Sequence, residues 1–183
     1  EQPIQALPDH VLHNLAPTRY CESDELGRTA CRLFGELPPG HARVQAIADW
    51  VHEHVEYAIG TTGPTTTARD VFVQRAGVCR DFAHLGVTFC RALNIPARLA
   101  VGYARFDEPP PDFHAVFEAW LGGRWVLFDP TRLSPVEDLI RIASGRDAKD
   151  VAFATLFGPA RMLSMSPQIE RVGPEALAMP PVR

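Results

Sequence analysis

The strongest constraint on this chain's fold lies in residues 79–93. Phe82, Ala83, Leu85, Val87, Phe89, Cys90 and Leu93 leave no broad polar face on a helix wound at about 3.6 residues per turn. A helix that is apolar nearly all round must sit in the middle of a domain, with other layers packed around it. Asn94 and Pro96 end it, and its first residue is Cys79. A helix N-terminus carries partial positive charge and unpaired N–H groups. A thiol placed there loses its proton more easily and is a better nucleophile.

The layers are legible on both sides of this run. Upstream, Ser23 is positioned to cap a helix over 23–37, with Leu26, Ala30, Leu33 and Leu37 as its stripe. Pro38-Pro39-Gly40 breaks it, and a second helix covers 41–55 with Val44, Ile47, Val51 and Val55 on one face. Thr67 and Asp70 form a capping box for a short helix that Gly77 is expected to close. Downstream the period changes to two. Strands are predicted at 98–105, 113–121 and 124–129, with a further one through Leu139–Ala143. Glu108-Pro-Pro-Pro111 is a loop that could rim a cleft, residues 146–157 fit a short helix, and the last ~25 residues carry one edge strand and a Pro-rich tail. Helices first and an antiparallel sheet second is an α+β order. The expected division is an arm or linker at 1–22, one domain at 23–160, and a C-terminal strand and tail at 161–183.

Gly122-Gly123 is a two-residue hairpin turn and fixes the register of its strands. Leu121 pairs with Arg124, Trp120 with Trp125, and Val116 falls opposite Asp129. His114 is two residues from Val116 and shares its face. Diagonal neighbours of this kind are roughly 7–8 Å apart at their bases, a gap an imidazole and a carboxylate can span. The other face carries Phe113, Ala115, Phe117, Ala119, Val126 and Phe128 and suits the buried helix. Packing the helix there brings Cys79 to His114. Cys79, His114 and Asp129 would then be nucleophile, general base and acid, and orienting group. The oxyanion donors would be backbone N–H groups near Cys79 and a side chain, Trp50 being one candidate.

Bulk numbers narrow the class. The chain has 183 residues, 46% of them hydrophobic, enough for one domain with a core. A net charge of −4 argues against a nucleic-acid partner, and no apolar run is long enough to span a membrane. Cys21, Cys31, Cys79 and Cys90 form no CxxC pair, and Cys79 and Cys90 are about 16 Å apart on one helix. Reduced thiols, and so a cytoplasmic setting, are expected. Cys31 and Cys90 read as buried packing residues. Opening on Glu1, the chain is expected to be a piece of a longer protein.

Several segments resemble the transglutaminase-like superfamily within the papain-like cysteine enzymes, in its microbial branch. They are residues 66–72, 75–85, 90–98, 101–103, 113–120 and 125–131, with 19–24 and 144–152 also similar. The Cys, His and Asp blocks come in the family's order, and the family's site falls on Cys79, His114 and Asp129. Ala115-Val116 stands where members often have an aromatic. The resemblance implies a papain-like α+β fold and thiol-dependent acyl transfer on a peptide or amide bond, with no cofactor or metal and a peptide or protein as substrate. Water as acceptor gives a protease or deamidase; an amine gives a transglutaminase. A non-catalytic binding domain of the same fold is the alternative from another class.

Other residues have plainer readings. His52 and His54 point in different directions on a helix, and His84 reads as a helix histidine with a local partner rather than a zinc ligand with Cys79 and His114. Asp81 reads as a helix-dipole residue in the first turn, the alternative being that it holds a nearby loop or an arginine. Trp120 and Trp125 form a cross-strand pair, and Tyr103 approaches the site from the preceding strand.

Overall fold

The computed structural model describes residues 1–105, 112–152, 154–165 and 167–169. In chain order these form α1 (Asp9–Leu12), α2 (Gly27–Phe34), α3 (His41–His54), β1 (Glu56–Tyr57), α4 (Ala68–Gln74), β2 (Ala76–Gly77) and α5 (Cys79–Ala92). Four strands follow, β3 (Ala97–Ala104), β4 (Asp112–Leu121), β5 (Arg124–Phe128) and β6 (Ile140–Gly145). They make one antiparallel sheet in the order β5-β4-β3-β6. The fold is α+β, with the helices packed on an antiparallel sheet.

Helix α5 is the centre of the molecule. Every residue from Asp81 to Arg91 is buried. One side packs on β3 and β4, and α2, α3 and α4 cover the other. The approach to the sheet is close because Gly86 faces Phe117: a Cβ built at Gly86 would lie 2.6 Å from the Phe117 ring. Phe117 is fully buried and stacks on Phe128 at 5.4 Å, so the ring has no room to retreat.

The hairpin has the register set by its turn. Leu121 pairs with Arg124, Trp120 with Trp125 and Phe117 with Phe128. Trp120 and Trp125 meet edge to face at 5.3 Å. The face of the sheet away from α5 is covered by the N-terminal segment, where Leu7 and Val11 pack on Trp120 and Gln2 accepts the Trp120 indole N–H at 2.9 Å. Buried Arg91 ties that segment to the core by donating to the carbonyls of Ala16, Ala97 and Arg146.

Several local expectations are corrected. Helix α2 starts at Gly27, not after Ser23, because Glu25 and Leu26 donate to the Glu22 carbonyl in a turn. Cys31 is exposed, one step round the helix from buried Ala30. Helix α4 has the Thr67–Asp70 capping box but closes on Arg75, in the left-handed region at φ 60°, rather than on Gly77. The Arg75 guanidinium lies over Phe72 and Trp50, at 4.4 and 4.8 Å, which helps hold that conformation. Gly77 is used instead for close approach, since a Cβ there would meet the Asp81 Cβ at 2.8 Å. Residues 147–150 form a turn, and no helix is present in the described part of 146–157. The Glu108–Pro111 loop and most of the C-terminal tail lie outside the described residues.

The α5–sheet contact predicts the cost of crowding it. Gly86→Val should destabilise the fold by at least about 2 kcal/mol, read as a lowered urea midpoint at unchanged slope.

Candidate active site

The site lies where β5 stops short of β4. Strand β5 ends at Phe128, opposite Phe117, three residues short of the level of His114 on β4. The chain turns after Phe128 and returns Asp129 to this edge. His114 Nε2 is 2.8 Å from Asp129 Oδ2, and both side chains are almost wholly buried. Cys79, half-buried at the start of α5, lines the same cleft as His114.

Burial alone would push the His114 ring towards its neutral form. The hydrogen bonds to Asp129 and Cys79, and the charge on each, outweigh it and raise the pKa from 6.5 to about 9. Burial likewise disfavours a charged Asp129. The bond and charge of His114, with hydroxyl and backbone N–H donors from Thr131, nevertheless hold its carboxyl below the ordinary 3.8. A raised histidine contributes stability that is whole below about pH 6.5 and is lost as pH rises through about 9. A depressed aspartate contributes above its ordinary value and loses that as pH falls through its folded one. Between those limits the site holds a charged imidazolium–carboxylate pair.

The cleft, about 990 Å³, is mainly apolar. Leu99, Val101, Phe113 and Ala115 present one wall from the sheet, and Tyr103 lines it with them, 4.9 Å from the Phe113 ring. The loop Thr62-Gly63-Pro64 forms a lip on the α5 side. Asp81 latches that lip. Its Oδ2 accepts from the Val78 N–H at 3.0 Å, capping α5, and from the Thr62 hydroxyl at 2.6 Å. Its Oδ1 accepts from Arg80, which also donates to the Gly63 carbonyl. Asp81 thus holds both a loop and an arginine in addition to its place in the first turn.

Residues 28–130 match the transglutaminase-like superfamily, which is more than half of the chain. The chain belongs to the transglutaminase-like superfamily. Among solved structures, that of a "putative cysteine protease" from Cytophaga hutchinsonii is 51% identical, with a TM-score of 0.84 over 86% of this chain and 54% of that one. An uncharacterised protein of Mycobacterium leprae is 38% identical over 159 residues, 80% of this chain and 55% of its own length. The periplasmic domain of TgpA from Pseudomonas aeruginosa shares the fold at 22% identity and a TM-score of 0.54. The chain therefore spans a little over half the length of the Mycobacterium leprae and Cytophaga hutchinsonii proteins. No described helix is long and apolar enough to cross a membrane.

In this transglutaminase-like domain the other singled-out residues have structural partners. Trp50 does not line the cleft; it packs among Phe34, Phe72 and Phe89, so it is not the oxyanion donor. As the first residue of α5, Cys79 has a backbone N–H free of any helical carbonyl. His54 stacks on Trp50, whereas His52 donates to the Pro130 carbonyl at 3.2 Å, behind Asp129. His84 is buried, stacks on Tyr20 at 5.3 Å and accepts the Ala148 N–H at 3.1 Å. It does not join Cys79 and His114: among the described residues no three His, Cys, Asp or Glu side chains are placed to hold a metal ion. No sequence signal marks Thr131, whose hydroxyl meets Asp129 only once the chain has turned after β5.

Burial, reinforced by Arg80, lowers the His84 pKa from 6.5 to about 4 despite Asp147 and Asp81 nearby. The unfolded chain therefore takes up a proton that the folded one refuses between those values, and stability falls as pH drops from 6.5 to 4. His84→Gln, which keeps an acceptor for Ala148, should flatten that part of the curve of unfolding free energy against pH.

Proposed function

We propose that this domain is a thiol-dependent hydrolase acting on peptide or amide bonds through Cys79, His114 and Asp129. The observation that carries the proposal is the buried hydrogen bond between His114 and Asp129 in an open cleft that Cys79 also lines.

In this reading the Cys79 sulfur attacks the amide carbonyl carbon, and the carbonyl π electrons move to oxygen. The Cys79 backbone N–H, at the positive end of α5, stabilises the oxyanion. The C–N bond then breaks as the leaving amine takes a proton from the His114 imidazolium, which leaves a thioester. A water molecule gives a proton to His114 and its oxygen to the acyl carbon. Collapse of that second adduct releases the acid and returns the sulfur. Asp129 keeps the ring oriented and supports its charge throughout. The apolar wall of Leu99, Val101 and Phe113 favours an acyl donor with an apolar side chain beside the amide.

The superfamily match also favours a second reading, transfer or deamidation at protein glutamine. Ammonia release that rises on adding a primary amine would identify it; release of a peptide amine identifies hydrolysis. We further propose a bacterial, cytoplasmic setting, supported by four unpaired cysteines and bacterial relatives.

Iodoacetamide should label Cys79 faster than the other thiols. Cys21 and Cys90 are buried, which raises both their pKa values, that of Cys21 to about 12, so exposed Cys31 is the internal reference. Equal rates at Cys79 and Cys31 would refute the assignment. Against a peptide-amide library, Cys79→Ala should abolish turnover, and Asp129→Asn should lower kcat by about 10²–10⁴-fold. The alkaline limb of wild-type activity should fall near pH 9, where His114 loses its proton. A library left untouched by a protein with a rapidly alkylated Cys79 would support a non-catalytic binding domain.

A further inference from the structure

The carboxylate of Asp129 is held on both sides. His114 takes Oδ2, and Thr131 takes Oδ1 twice, with its backbone N–H at 2.9 Å and its hydroxyl at 2.7 Å. The Thr131 hydroxyl oxygen also lies 3.5 Å from His114 Nε2 and accepts the Leu133 N–H at 3.2 Å. Thr131 is buried, so water does not compete for these bonds. An aspartate fixed at one oxygen only could swing about its side-chain torsion and lose the imidazole. Fixed at both, it presents Oδ2 to the ring in one orientation.

The turn that carries Thr131 is itself clamped to α3. His52 donates to the Pro130 carbonyl, and Arg132 pairs with Asp49 at 2.6 Å. Arg132 sits at φ 58°, a left-handed conformation that a non-glycine residue adopts at a cost. Such a conformation persists where neighbours over-determine it, and here both neighbours come from one helix. The segment Asp129–Arg132 is thus a bracket whose inward-facing hydroxyl is the one on Thr131.

We infer that Thr131 is a positioning residue: its hydroxyl sets the orientation and the charge of Asp129, and through Asp129 the proton on His114. The inference rests on the catalytic reading above and adds a fourth residue to it. Removing the hydroxyl while keeping the backbone N–H leaves Asp129 with one donor fewer on Oδ1. The carboxylate then protonates at higher pH, and the imidazolium loses support on the acid side. Among the described residues, the ionisable groups that touch this segment are His114 of β4, His52 and Asp49 of α3 and Arg132 of the turn itself, with Cys79 of α5 lining the same cleft as His114.

The test is the pH profile of Cys79 alkylation by iodoacetamide, followed by intact-mass analysis, alongside kcat and KM on a hydrolysed peptide amide. The proteins are wild type, Thr131→Val, Thr131→Ala and Thr131→Ser, each first shown to be folded by its near-ultraviolet circular dichroism. Alanine is the second hydroxyl-free variant because valine shields the Leu133 N–H from water. The expected result is an acid limb moved up by about half a pH unit or more, and kcat lowered at least about tenfold with KM unchanged, in both hydroxyl-free variants. Serine should restore both. Wild-type limbs and kcat in either folded hydroxyl-free variant, or failure of serine to restore them, would overturn the inference and leave the catalytic reading standing. A wild-type protein with neither selective Cys79 alkylation nor turnover would overturn both.

Discussion

The hydrogen bond between His114 and Asp129 depends on hairpin register. Side chains alternate along a strand, so a slip of one residue at Gly122-Gly123 would send the two groups to opposite faces of the sheet. What prevents the slip is packing as much as the turn. Phe117 and Phe128 are cross-strand partners buried under α5, and Trp120 and Trp125 are partners beneath the N-terminal segment. Both faces of the hairpin thus report the same register. The same Phe117 ring sets the distance to α5 through Gly86. Position along the strand and height above the sheet are therefore fixed by one contact, and Cys79 arrives at His114 as a result.

The electrostatics follow from that placement. Imidazole and carboxylate are both removed from water, which by itself would neutralise them. The charged forms are favoured because each is the other's partner and because Thr131 donates twice to Asp129. His84, one and a half turns from Cys79 along α5, shows the contrast. It is as buried as His114 but faces Arg80 rather than a bonded carboxylate, and it is held neutral. Two histidines in one small region are driven to opposite states by their neighbours alone, which separates the ring suited to acid–base work from one that only packs.

Much of this arrangement was legible in the sequence because its signals are local. The apolar run of α5, the Gly-Gly turn and the Thr67–Asp70 box each act over a few residues and each formed as expected. What escaped depends on groups distant in sequence. Arg75 replaces Gly77 as the closing residue of α4 because rings at positions 50 and 72 lie under its guanidinium. The first 22 residues look weakly periodic, yet they are held by Trp120 and Arg91. Trp50 resembled a site tryptophan only until the aromatic cluster around it was visible. Thr131 gave no distinguishing signal, since its role exists only once Asp129 has turned back on β4.

The central claim is that His114 is a charged ring held by the Asp129 carboxylate in the cleft that Cys79 lines. Nitrogen-15 NMR of the histidine rings across pH tests it most directly. The account predicts that His114 carries protons on both nitrogens through neutral pH and titrates near 9, and that Asp129→Asn moves this titration downward. A His114 ring that titrates at or below its ordinary 6.5 in the wild-type protein would contradict the account.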